Sequence, residues 1–109
     1  MATTLKILGQ VAPSATTETD LYAPGAATSA VVSSLIVCNR ANTQGTFRVS
    51  VSAAGGATAS KDYIYYDVTI AANDTFIATI VISLATTDKI RVYSSSASMS
   101  FSAFGQEIS

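Results

Sequence analysis

The chain has no histidine, one cysteine and only 13 charged side chains among 109 residues. Without histidine it lacks the usual general base, the usual activator of a serine or cysteine nucleophile and the commonest zinc ligand. A Ser-His-Asp triad cannot be assembled, and a Ser-Lys dyad would have to draw on Lys6, Lys61 or Lys89, none of which stands in a recognisable motif. The carboxylates Glu18, Asp20, Asp62, Asp67, Asp74, Asp88 and Glu107 are scattered singly, whereas a calcium site gathers several oxygens at close spacing. Only Glu18 and Asp20, two apart in a loop, come near to sharing a cation. The sequence therefore predicts no enzyme, no catalytic residue, no cofactor and no metal centre. Cys38 cannot form an intramolecular disulfide, and its place in the apolar run Val31 to Cys38 makes it an expected buried small hydrophobe.

Charge is scarce as well as scattered. Charged residues make up 12% of the chain, against about 25% in an average soluble domain, and the net charge is −1. Affinity for nucleic acid comes from neutralising phosphates with an excess of Lys and Arg, so nucleic acid is excluded as an expected partner. Long apolar runs are missing too. The longest, Phe76 to Ile82, is interrupted by Thr79 and falls far short of the roughly 20 residues that cross a bilayer. Met1 to Val11 holds only scattered Leu5, Ile7 and Leu8, not the continuous apolar stretch of a secretory signal. Synthesis in a cytoplasm and no membrane span are expected, despite a mean hydropathy of +0.39.

What the chain does contain is small residues and alternation. Ala, Ser and Thr account for 47 of the 109 positions. In Thr46 to Ser52, Phe47, Val49 and Val51 alternate with Arg48, Ser50 and Ser52, the period of a strand with one buried face. Lys89 to Tyr93 repeats it with Ile90 and Val92, Ser98 to Phe104 with Met99, Phe101 and Ala103, and Leu5 to Val11 more weakly. Ala30 to Cys38, Tyr63 to Ile70 and Phe76 to Leu84 are apolar on both faces and are expected to be central or interface strands.

Turn chemistry separates these runs at 71–74, 85–88 and 94–97, which predicts consecutive antiparallel hairpins in the last third. Longer connections cover Ala12 to Ser29 and Ala53 to Lys61. No segment carries a helical period, and no repeat appears. The expected fold is all-β: one antiparallel β-sandwich domain over residues 1–109, jelly-roll-like, with seven or eight strands.

Tyr63-Ile64-Tyr65-Tyr66 is the densest aromatic feature. On a regular strand Tyr63, Tyr65, Asp67 and Thr69 share one face and Ile64, Tyr66, Val68 and Ile70 the other. With Arg48, Arg91 and Tyr93 also expected outward, Tyr63 and Tyr65 complete a candidate protein-contact set, because Tyr and Arg concentrate where proteins meet. Carbohydrate stacking is a further use of such tyrosines. Asn73-Asp74-Thr75 matches the glycosylation pattern but reads as a turn, and Gly55-Gly56, outside any phosphate-loop context, reads as a bend. Few charges and two-faced strands together imply surface covered by copies of the chain or by a partner.

Leu8-Gly9-Gln10, Ala15 to Tyr22, Ala30 to Arg40, Thr46 to Val49, Tyr65-Tyr66-Asp67, Ala72 to Phe76 and Phe101 to Gly105 together resemble small structural proteins of tailed bacteriophages. The resemblance spans nearly the whole chain, departs at Tyr22-Ala23-Pro24-Gly25, where a Val before the Pro is usual, and lies in strand and turn residues. It implies a virion component that binds the major capsid protein or other virion proteins: a capsid decoration (cement) protein, or alternatively a tail, baseplate or fibre component that touches host glycans. A homo-oligomer is expected, with a trimer suggested by likeness to trimeric jelly rolls.

Overall fold

A computed structural model describes residues 2–109. Eight strands follow in order: β1 (Thr3–Val11), β2 (Thr19–Tyr22), β3 (Ser29–Asn39), β4 (Gly45–Ser52), β5 (Tyr63–Ile70), β6 (Thr75–Leu84), β7 (Lys89–Ser94) and β8 (Met99–Ile108). Two single-turn 3-10 segments, Ala53–Gly55 and Ser60–Asp62, lie in the β4–β5 connection. The strands form two antiparallel sheets, β1-β8-β3-β6 and β2-β7-β4-β5. β1 pairs with β8, β2 with β7, β3 with β6 and β4 with β5. The chain is thus one long hairpin, closed at β4–β5 and wound so that successive strand pairs alternate between sheets. That winding is the jelly roll, and the sandwich expected from the sequence is the fold observed.

Two of the three local turns lie where the sequence puts them and the last falls one residue later, at 95–98, but none makes a hairpin. Each of the turns at 71–74, 85–88 and 95–98 carries the chain across to the opposite sheet, so the strands it joins pack face to face. The rim loops bond to each other: Asn73 N donates to Ala41 O, Ser95 N to Thr46 O and Arg40 N to Ser98 O. Asn39 ties this rim from within. It is 1% exposed, donates from Nδ2 to Thr43 O and Ala71 O, and accepts the Ala41 N–H at Oδ1. β2 falls inside the stretch Ala12 to Ser29 expected to be a loop; four residues with one buried side chain, Leu21, offer too little alternation to recognise. β5 and β6 are edge strands, so of the two expected roles, central or interface, the central one is ruled out for them.

The core lies between the sheets, with Leu35, Val37, Phe101 and Ala103 facing Phe47, Val49, Ile90 and Val92, all at or near zero exposure. Phe47 is the aromatic hub, its ring 5.2 Å from Phe76 and 6.1 Å from Phe101 and Tyr65. Two glycines permit close approach. A Cβ on Gly9 would stand 2.2 Å from Leu21 O of the facing sheet, and one on Gly105 would stand 2.0 Å from Val31 O on the neighbouring strand.

Bulges overturn two expectations about which side chains face out. In β3 the pairing with β6 and β8 shifts between Val32 and Ser34, which turns Leu35 and Val37 inward and Ile36 and Cys38 outward. Cys38 is therefore half-buried on the outer face, not in the core. In β5, Phe47 pairs with Val68 and Val49 with Tyr65, which leaves an extra residue around Asp67, whose φ is 50°. Tyr65 accordingly packs on the core beside Phe47 and Phe76, while Ile64 and Tyr66 face solvent. In β4 the pairing with β7 keeps its register, so Ser50 and Ser52 hold the expected outward phase, yet both are buried.

Candidate functional site

The sandwich presents two outer faces of opposite chemistry. On the β1-β8-β3-β6 sheet, β1 turns Leu5 and Ile7 outward, β8 Phe104, β3 Val31 and Ile36, and β6 Ile77 and Val81. Cys38, Ser, Thr and Gln fill the positions between. Leu5 is 80% exposed, Val81 75% and Ile77 65%. No outward position of these four strands carries a charge. Lys6 and Glu107, the charged residues of this sheet, stand in the opposite phase, where Lys6 Nζ bonds Glu107 Oε1 at 3.3 Å and the Tyr22 hydroxyl donates to Glu107 Oε2. These bonds, the one from Tyr22 first, hold the Glu107 carboxyl below its ordinary pKa. A face four strands wide and nine to eleven residues long covers roughly 600 Å² at about 4.8 Å per strand and 3.3 Å per residue.

Charge gathers instead on the β2-β7-β4-β5 sheet. Its outer surface is a stack in which the Arg48 guanidinium lies 4.3 Å from the centre of the Tyr66 ring and 4.4 Å from that of Tyr93. Asp67 accepts from Arg48 Nε at 2.7 Å and Nη2 at 3.3 Å. The bulge makes this possible, because it sets Tyr66 and Asp67, adjacent in sequence, both on the outer side opposite Arg48. Tyr63 meets Tyr66 edge to face at 4.9 Å. Beside this pair, Thr58, Ala59, Ser60, Tyr63 and Tyr66 line an open groove of 510 Å³.

A second arginine holds the wall of the groove. Arg91 Nη1 donates to Gly56 O, Thr58 Oγ1 and Ser52 Oγ, Nη2 to Gly55 O, and Nε to Asp20 Oδ1. Lys89 Nζ also bonds Asp20 at 3.1 Å, and these two bonds, Lys89 first, hold the Asp20 carboxyl below its ordinary value. Asp62 accepts the Ala59 N–H at 2.9 Å, and this bond, then Lys61, lowers its pKa. Asp88 accepts from Ala54 N and Ala85 N, which lower its pKa in the same way and fix the 85–88 turn. Ser52, whose hydroxyl donates to Asp62 Oδ2 and accepts from Arg91 Nη1, is covered by the 53–62 connection.

No protein-family model, no curated protein and no solved structure matches the chain.

Of the five candidate contact residues, Arg48 and Tyr93 share the stack, and Tyr63 joins it through Tyr66. Tyr65 is turned to the core, and the Arg91 side chain, 13% exposed, is committed to the loop. Sequence reasoning missed Tyr66, since the bulge that exposes it leaves no mark in the alternation of Tyr63 to Ile70. It also missed the uncharged face as a unit. The signal for that was present: all 13 charges fall outside the outward positions of β1, β3, β6 and β8, a pattern visible once the strands are placed side by side.

Proposed function

We propose that the protein is a structural component of a tailed-phage virion, a capsid decoration protein that acts by adhesion and not by catalysis. The observation that carries this reading is the uncharged outer face of β1-β8-β3-β6. A soluble monomer normally keeps its exposed face mixed in charge and free of large apolar patches, whereas Leu5, Ile7, Ile77 and Val81 stand exposed on a face with no charge to keep neighbours away. Two such faces in contact would bury about 1,200 Å², the lower bound of specific, stable interfaces. The strand and turn residues that resemble phage structural proteins supply the setting: copies of the chain associate through this face with one another and with the capsid protein, and many such contacts add along a shell. A tail or fibre role is the second reading, favoured by the aromatic stack on the opposite sheet.

Copy number in purified particles tests the choice. A decoration protein is expected in numbers comparable to the major capsid protein, and a few copies to a few tens per particle would move it to the tail. Absence from particles would end the virion reading.

A further inference from the structure

We propose that the groove between β5 and the 53–62 connection binds a neutral carbohydrate, with Tyr66 as the stacking platform and Thr58 and Ser60 as its hydroxyl partners. The groove lies on the sheet opposite the adhesive face, and the inference stands whether or not that face binds a capsid. Its volume, 510 Å³, falls among ligand pockets of about 300–1,000 Å³.

Both walls are set before any ligand arrives. Tyr66 is 57% exposed, yet its ring is held by Arg48 against one face and by Tyr63 at an edge-to-face angle of 80°. Arg48 is itself held by Asp67 and Tyr93. The opposite wall is pinned by Arg91 to Gly55, Gly56 and Thr58 and by Asp62 to Ala59. A rigid aromatic beside a rigid loop loses little freedom on binding, which is what preorganised sites share.

Chemistry of the lining selects the ligand. No charged side chain lines the groove, so neither an anion nor a cation finds a counter-ion there. Arg48 lies over one face of Tyr66, so a cation seated on the other would share the ring with a guanidinium, whereas a neutral ligand meets no such competitor. A wholly apolar ligand would leave the Thr58 hydroxyl proton and the Ser60 hydroxyl unpaired. Thr58 Oγ1 accepts from Arg91 Nη1 at 3.2 Å, which leaves its own proton free to donate into the groove. A pyranose satisfies both kinds of surface: its axial C–H bonds carry partial positive charge toward the negative face of an aromatic ring, and its hydroxyls meet the flanking donors and acceptors.

The chain has five tyrosines and no tryptophan, so its intrinsic fluorescence reports tyrosine surroundings directly. Titration of the intact protein with maltohexaose, mannohexaose, xylohexaose and tetra-N-acetylchitotetraose, each to about 10 mM, followed by fluorescence and amide chemical shifts, is expected to give saturable binding by at least one. Shifts should centre on residues 58–66. Tyr66→Ala should weaken that binding about tenfold or more, Ser60→Ala several-fold, and Tyr66→Phe should leave it within about threefold. Tyr66 is exposed, so an unchanged circular dichroism spectrum will show that the variants fold. No saturable response to any of the four sugars, an unchanged affinity in Tyr66→Ala, or saturable binding of tetramethylammonium in place of sugar overturns the proposal.

Discussion

Five hydrogen bonds converge on the Arg91 guanidinium, while Arg48, equally expected to face outward, makes one exposed ion pair and two ring contacts. The difference sets opposite expectations for the same substitution. Arg91→Met leaves the Gly55 and Gly56 carbonyls and the buried Ser52 hydroxyl without their donor and should lower unfolding free energy by about 2 kcal/mol. Arg48→Met, at a solvent-screened pair, should leave the denaturation midpoint nearly unchanged. Urea melts of the two variants compare them directly, and equal losses would contradict this division of roles. In the sequence both arginines occupy outward strand positions. What separates them is the 53–62 connection, whose path over β4 depends on Arg91 itself.

At the level of the strand, alternation gave the strands and missed the bulges. The period of two in Ala30 to Cys38 puts Cys38 in phase with Val32, and the extra residue at Ser33–Ser34 reverses that phase. The free thiol should therefore react with a disulfide reagent in the dilute folded protein, slowly because it is half-buried. Under concentrations at which the proposed face associates, the rate should fall. A thiol unreactive until global unfolding would place it in the core after all. The glycine in β8 makes a second test. Gly105→Ala forces a methyl group against Val31 O, where a neighbouring strand cannot yield without breaking the β3–β8 ladder, and should cost about 2 kcal/mol. Close approach of a backbone carbonyl, Leu21 O at Gly9 and Val31 O at Gly105, is the physical reason each position needs glycine.

Across the whole molecule, the sandwich was legible because nearly every strand carries its own apolar alternation. The order of the strands was not, because a four-residue turn such as 85–88 closes a hairpin or spans two sheets with the same residue types. Which one forms is decided by distant pairings such as β1 with β8. Electrostatics act on this scale as well. Asp20, Asp62, Asp88 and Glu107 all have pKa values lowered in the folded state by hydrogen bonds or cationic neighbours. Each is more easily protonated when unfolded, so its stabilisation is complete above the unfolded carboxylate range, near pH 5, and is lost as pH falls through about 4 toward the folded values. Thermal melts should hold steady from pH 7 to about 5 and decline below it. A midpoint unchanged down to about pH 3 would contradict the pairings.

The proposed adhesive face meets its most direct test in sedimentation velocity of the wild-type chain beside Ile77→Lys/Val81→Lys. Both side chains are exposed, so the double variant should keep the wild-type β-sheet spectrum. Wild type at tens of micromolar is expected to sediment as a species larger than the 11.2 kDa chain, and the double variant as that single chain. A wild-type monomer, or a variant that associates as strongly as wild type, would contradict the account.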